Sequence, residues 1–193
     1  MRFLLSKTKK LFSFFLFHGK IKAEKDTTER DFPKMDAINE KTVCYTGHRT
    51  IPESDFASLH TKLLAETERQ IQNGAVCFRT GGAKGFDTMA ALAVLSLKRK
   101  YPQIRLELIL PCPTQTQGWS ENDIAVYEQI RANADAYQYV SPFYYKGLLQ
   151  VRNRRLVEGA DVCIAYLTDS TGGTAYTCAY AMRQGLDFVN LFD

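Results

Sequence analysis

From residue 42 onward, short apolar runs alternate with stretches of helical period, and this alternation confines the chain to a small set of folds. Residues 42–45 read as a first strand. Phe56, Leu59, Leu63, Thr67 and Ile71 then repeat at helical spacing up to a stop at Asn73-Gly74. Residues 76–79 form a second predicted strand, 86–97 a helix apolar on nearly every side, and 105–110 a third strand. Ser120 and Asp123 predict a capped helix running to about Asn133. Residues 136–140, 148–158, 162–167, 176–184 and 188–191 continue the pattern as strand, helix, strand, helix and strand. The expected architecture is therefore a single-domain α/β fold. Its core is a doubly wound, mostly parallel, Rossmann-like sheet with helices on both faces.

Two strand-to-helix junctions are double-glycine turns, Thr80-Gly81-Gly82-Ala83-Lys84-Gly85-Phe86-Asp87 and Ser170-Thr171-Gly172-Gly173-Thr174. Such a turn presents bare backbone N–H groups at the positive end of a helix dipole, where phosphate binds without a charged side chain. A third turn, Thr46-Gly47-His48-Arg49, leaves the first strand. In an open parallel sheet all three lie at the carboxyl edge, where ligands bind near the point at which strand order reverses. One glycine turn alone is as well explained by tight geometry; several at one edge favour a shared site.

Neither turn matches a standard nucleotide fingerprint. The first lacks Gly-x-Gly-x-x-Gly spacing, and Lys84 is followed by Gly85 rather than Ser or Thr, so neither an ordinary dehydrogenase nor a P-loop is indicated. Asp87 is placed either to accept ribose hydroxyls or to stabilise the helix dipole. His48 is read as a phosphate donor, an acid/base group or a hydrogen-bonding structural residue. Trp119 is read as a stacking surface for adenine or as a packing anchor. Tyr166 and Asp169 would edge the pocket. In Arg152-Asn153-Arg154-Arg155, Arg152 and Arg155 share a helix face, either reaching phosphates or forming a solvated basic surface.

The five cysteines show no Cys-x-x-Cys pair and no metal-ligand spacing, which predicts no metal site and a reducing cytoplasmic setting. Nine of the 25 Lys/Arg and four of the 21 Asp/Glu fall in residues 1–34. The remainder holds 16 basic and 17 acidic residues, so its charge argues against nucleic acid as a partner. Residues 1–34 read as a disordered leader or an upstream start artefact, with the domain at 35–193. A membrane contact is expected only if the basic-apolar leader belongs to the natural protein. Phe143-Tyr144-Tyr145 reads as loop packing or as a contact in a homo-oligomer.

The ordered set Thr46-Gly47-His48-Arg49, Gly81-Gly82-Ala83-Lys84-Gly85-Phe86-Asp87, Tyr101-Pro102, Trp119 and Gly172-Gly173-Thr174 resembles the YpsA-like branch of the SLOG superfamily. That superfamily also holds the DprA DNA-processing proteins and the LOG phosphoribohydrolases. The resemblance covers about residues 41–193. It implies a Rossmann-like fold and a ligand derived from a nucleotide, such as ADP-ribose or an NAD derivative. LOG enzymes carry Pro-Gly-Gly-x-Gly-Thr-x-x-Glu, whose glutamate serves glycosidic cleavage. Here the turn has no proline and no glutamate follows it. The expected function is a nucleotide-ligand sensor or regulator with no cofactor identified. Gly81, Gly82, Gly172, Gly173 and Thr174 would hold phosphate, Arg49 would add charge and Asp87 would hold ribose. The alternatives are a hydrolase of N-glycosidic or phosphoanhydride bonds and a DprA-like single-stranded DNA binder.

Overall fold

A computed structural model of the chain describes residues 40–192. The leader therefore lies outside the described residues. Six strands, β1 (Lys41–Gly47), β2 (Ala75–Thr80), β3 (Arg105–Leu110), β4 (Ala136–Tyr139), β5 (Val162–Tyr166) and β6 (Asp187–Asn190), form one sheet in the order β4-β3-β2-β1-β5-β6. Every pairing is parallel. Helices α1 (Glu53–Gln72), α2 (Phe86–Leu97), α3 (Glu121–Asn133), α4 (Leu148–Val157) and α5 (Gly172–Arg183) connect them. The doubly wound sheet expected from the alternation is present.

Strand parity assigns the two faces. Val43 and Tyr45 of β1 join Leu59, Leu63, Phe86 and Met89 in the larger core under α1, α2 and α3. Cys44, between them, points into a smaller core with Ile109, Leu156, Cys163 and Ala181 under α4 and α5. All five cysteines are free and buried.

The order in which successive strands are laid down reverses between β1 and β5, which remain parallel. Because β2, β1 and β5 are neighbours, the turns after these three strands stand side by side at the carboxyl edge. Among the described residues no helix is long and apolar enough to cross a membrane.

Two expectations shift. The second glycine turn is not a loop before a helix, since α5 begins at Gly172 itself with Thr171 as N-cap. Gly172 opens the helix at φ +86°, a left-handed backbone that glycine adopts without steric cost. Phe143 and Tyr144 are 66% and 61% exposed, so they are not loop packing.

Candidate functional site

A cleft of about 360 Å³ opens at this edge between the β1, β2 and β5 turns and α4. Of the residues expected at the site, it brings together Thr46, Gly47, His48, Arg49, Ala83, Asp87, Gly173 and Thr174. It adds Leu149, Arg152 and Asn153 from α4.

The first glycine turn lies beneath the cleft, and two of its donors are already engaged. The Gly82 N–H donates to the Thr80 hydroxyl at 3.1 Å, and the Ala83 N–H donates to Asp87 Oδ2 at 3.2 Å. Its glycines serve close approach instead. A Cβ on Gly81 would stand 1.4 Å from Arg152 Nη1, and one on Gly85 would stand 2.4 Å from the Arg49 carbonyl oxygen. Here Phe86 N–H donates to His48 O at 3.1 Å, tying the β2 turn to the β1 turn.

Arg152, which the sequence leaves open between a phosphate contact and a solvated basic surface, is buried in the cleft. It is 7% exposed and lies over Gly81 with Nη1 at 3.5 Å from Asp87 Oδ2. Its Nε is buried without a partner. Burial pulls this guanidinium below its ordinary range, with Asp87 opposing. Burial likewise pushes the Asp87 carboxyl up, countered by Arg152 and by the Ala83 N–H. The pair is thus an expensive one, held with a single long hydrogen bond. Asp87, 4% exposed, presents a neutralised floor rather than an open acceptor. A signal for Arg152 was available: Leu148, Arg152 and Leu156 recur every four residues, and all three are buried. Arg154 and Arg155 are exposed, with Arg155 pairing to Glu158 at 3.4 Å; they line a separate cleft with Tyr139 and Tyr180.

On the far wall, α5 points its N-terminus into the cleft. Thr171 makes no side-chain cap, so the first-turn donors of this helix are open. Arg49 stands exposed at the rim.

The acid/base candidates are occupied. His48 Nε2 accepts the Thr168 N–H at 3.1 Å, which places the imidazole proton on Nδ1 and clasps the β1 turn to the β5 turn. Thr177 in α5 has a buried hydroxyl that donates to the Gly173 carbonyl at 2.8 Å.

The remaining expected residues lie elsewhere. Trp119 packs edge-on against Tyr127 at 5.8 Å, with Lys84 Nζ over its ring at 5.7 Å. Asp169 lines an adjoining cleft of about 470 Å³ that shares His48 and Arg49 with the first. In that cleft Tyr166 donates its phenol to Asp55 Oδ2 at 2.8 Å. Burial first and Asp55 second push the phenol up to about 12. Ser54 first and Tyr166 second hold Asp55 below its ordinary range. The bond therefore persists as phenol and carboxylate through neutral pH. Among the described residues no group of three or more His, Cys, Asp or Glu is arranged to hold a metal.

Residues 52–187 match the YspA SLOG family. The chain belongs to that family. A UPF0398 protein of Levilactobacillus brevis is 31% identical over 115 residues, 56% of this chain and 61% of the relative. The chain thus spans less than two thirds of that relative's length. DNA processing protein A of Streptococcus pneumoniae superposes with a TM-score of 0.55 at 20% identity, over 77% of this chain and 49% of that one. DNA processing protein A of Helicobacter pylori, described with a single-stranded DNA binding mode, gives 0.54 at 21% identity, over 77% and 64%. At such identities these two structures show a shared fold. Membership of the YspA SLOG family fits a nucleotide-related function.

Proposed function

We propose that the cleft binds the phosphate of a nucleotide-derived ligand of the ADP-ribose or NAD kind, and that the domain senses this ligand rather than turning it over. The observation that carries the reading is Arg152, a buried guanidinium with an orphaned Nε in the same cleft as the open α5 N-terminus and Arg49. An anion there meets two guanidinium groups and the positive end of a helix dipole. Asp87 removes only one of these charges. Sensing is favoured over catalysis because Asp87 and His48 are both held in structural hydrogen bonds.

Titration calorimetry of the full chain with ADP-ribose and with NAD tests this. At least one is expected to bind with a Kd below about 1 mM, roughly −4 kcal/mol. Arg49→Ala is expected to weaken that binding by about tenfold, the loss of roughly 1.4 kcal/mol of charge-assisted contact. Its unfolding midpoint should stay at the wild-type value, since Arg49 is exposed. If neither compound binds below about 1 mM, the reading fails.

A further inference from the structure

The two clefts at the carboxyl edge share His48 and Arg49 as a common wall, yet their charges differ. The first holds Arg152 and the open N-terminus of α5, with Asp87 paired off. The second holds two carboxylates, Asp55 and Asp169, against the shared Arg49. Phosphate is therefore favoured in the first and repelled from the second. What the second cleft offers is different chemistry. Each oxygen of Asp55 already accepts a bond, from Ser54 at 2.7 Å and from Tyr166 at 2.8 Å. Asp169 is exposed and accepts the Thr168 hydroxyl through Oδ2 at 3.0 Å, one bond on a carboxylate that can accept several. Phe192 exposes 43% of its surface and is held edge-on to the buried Tyr166 at 6.0 Å, so one aromatic surface is both fixed and accessible. A volume of about 470 Å³ is ample for one nucleoside.

We infer that the adjoining cleft is the nucleoside subsite of the same ligand: Asp169 accepts the ribose diol, and the base lies against Phe192. The inference rests on the phosphate reading above and gives the ligand a direction. Its phosphate enters the Arg152 cleft, and its sugar and base cross the His48–Thr168 clasp to the side of β5 away from α4. A vicinal diol suits Asp169 because a carboxylate can accept two hydroxyl protons at once. An exposed ring stacks any base, so Phe192 supplies affinity without choosing between bases.

Calorimetry of the full chain with ADP, inorganic pyrophosphate and 2′,3′-dideoxy-ADP separates the two halves. ADP is expected to bind at least about tenfold more tightly than pyrophosphate, a difference of roughly one decade in Kd. Asp169→Ala should weaken ADP by about tenfold while leaving pyrophosphate and the dideoxy compound unchanged. Phe192→Ala should weaken ADP and dideoxy-ADP alike by about fivefold to tenfold, the loss of one stacked ring. Both positions are exposed, so the folded state should persist in each variant. Equal binding of ADP and pyrophosphate, or ADP binding indifferent to both substitutions, overturns the nucleoside subsite and leaves the phosphate site standing. Absence of binding by all three compounds overturns both.

Discussion

Asp87→Ala is expected to destabilise the fold by about 3–5 kcal/mol, the usual consequence of removing one partner from a buried ion pair. The carboxylate accepts the Ala83 N–H at 3.2 Å and faces Arg152 Nη1 at 3.5 Å; both side chains are more than nine-tenths buried. Without it the Arg152 guanidinium keeps its charge over Gly81, its Nε still unpartnered. In a domain of about 150 residues this corresponds to a fall in Tm of about 6–20 °C, read alongside equilibrium urea unfolding. Arg152→Met has the opposite defect, a buried carboxylate without its counter-charge. Burial already raises the Asp87 carboxyl, and losing Arg152 raises it further. A group raised in the folded state contributes stability that is present at low pH and lost as pH rises through its folded value. The stability deficit of Arg152→Met should therefore shrink as the solution is acidified. Replacing both residues by apolar ones should cost less than the sum of the single changes, because the pair is costly to bury.

Gly85→Ala is the second large effect, about 2–5 kcal/mol in the same unfolding assay. Two terms add. Gly85 has φ +76°, a left-handed backbone that costs an L-residue about 1–2 kcal/mol. Its Cβ would also stand 2.4 Å from the Arg49 carbonyl oxygen and 2.5 Å from that of His48, backbone that cannot swing aside. Overpacking of this kind costs about 1–3 kcal/mol and would pull apart the Phe86–His48 hydrogen bond. Gly172, at φ +86° with nothing within 4 Å of an added Cβ, separates the terms. Its replacement by Ala should show only the backbone cost of about 1–2 kcal/mol.

The sheet was legible because short apolar runs such as 105–110 alternate with long ones such as 86–97, and these bounds coincide with β3 and α2. The adjacency of the three turns needed the strand order, which local pattern does not contain. The start of α5 was hidden because Gly172-Gly173 reads as a helix breaker, whereas Gly172 opens the helix with a left-handed backbone. Arg152 was visible only as one of several arginines, since a solvated basic face and a buried guanidinium share the same spelling. Its spacing from Leu148 and Leu156 separates the two. For the first glycine turn the missing information was three-dimensional. Thr80 and Asp87 fold back onto its N–H groups, leaving the glycines to accommodate Arg152 and the backbone of His48 and Arg49. Trp119 carried no local sign of whether it faces a ligand or Tyr127.

One cleft gathers Arg152, Arg49 and the α5 N-terminus, and the proposed ligand sets an anion among them. The most direct measurement is a crystal structure of the chain grown with saturating ADP-ribose. The expected result is phosphate oxygens within hydrogen-bonding distance of the Gly173 and Thr174 N–H groups and of the Arg152 guanidinium. Ligand density in the cleft of Arg154 and Arg155, with none at the start of α5, would contradict it.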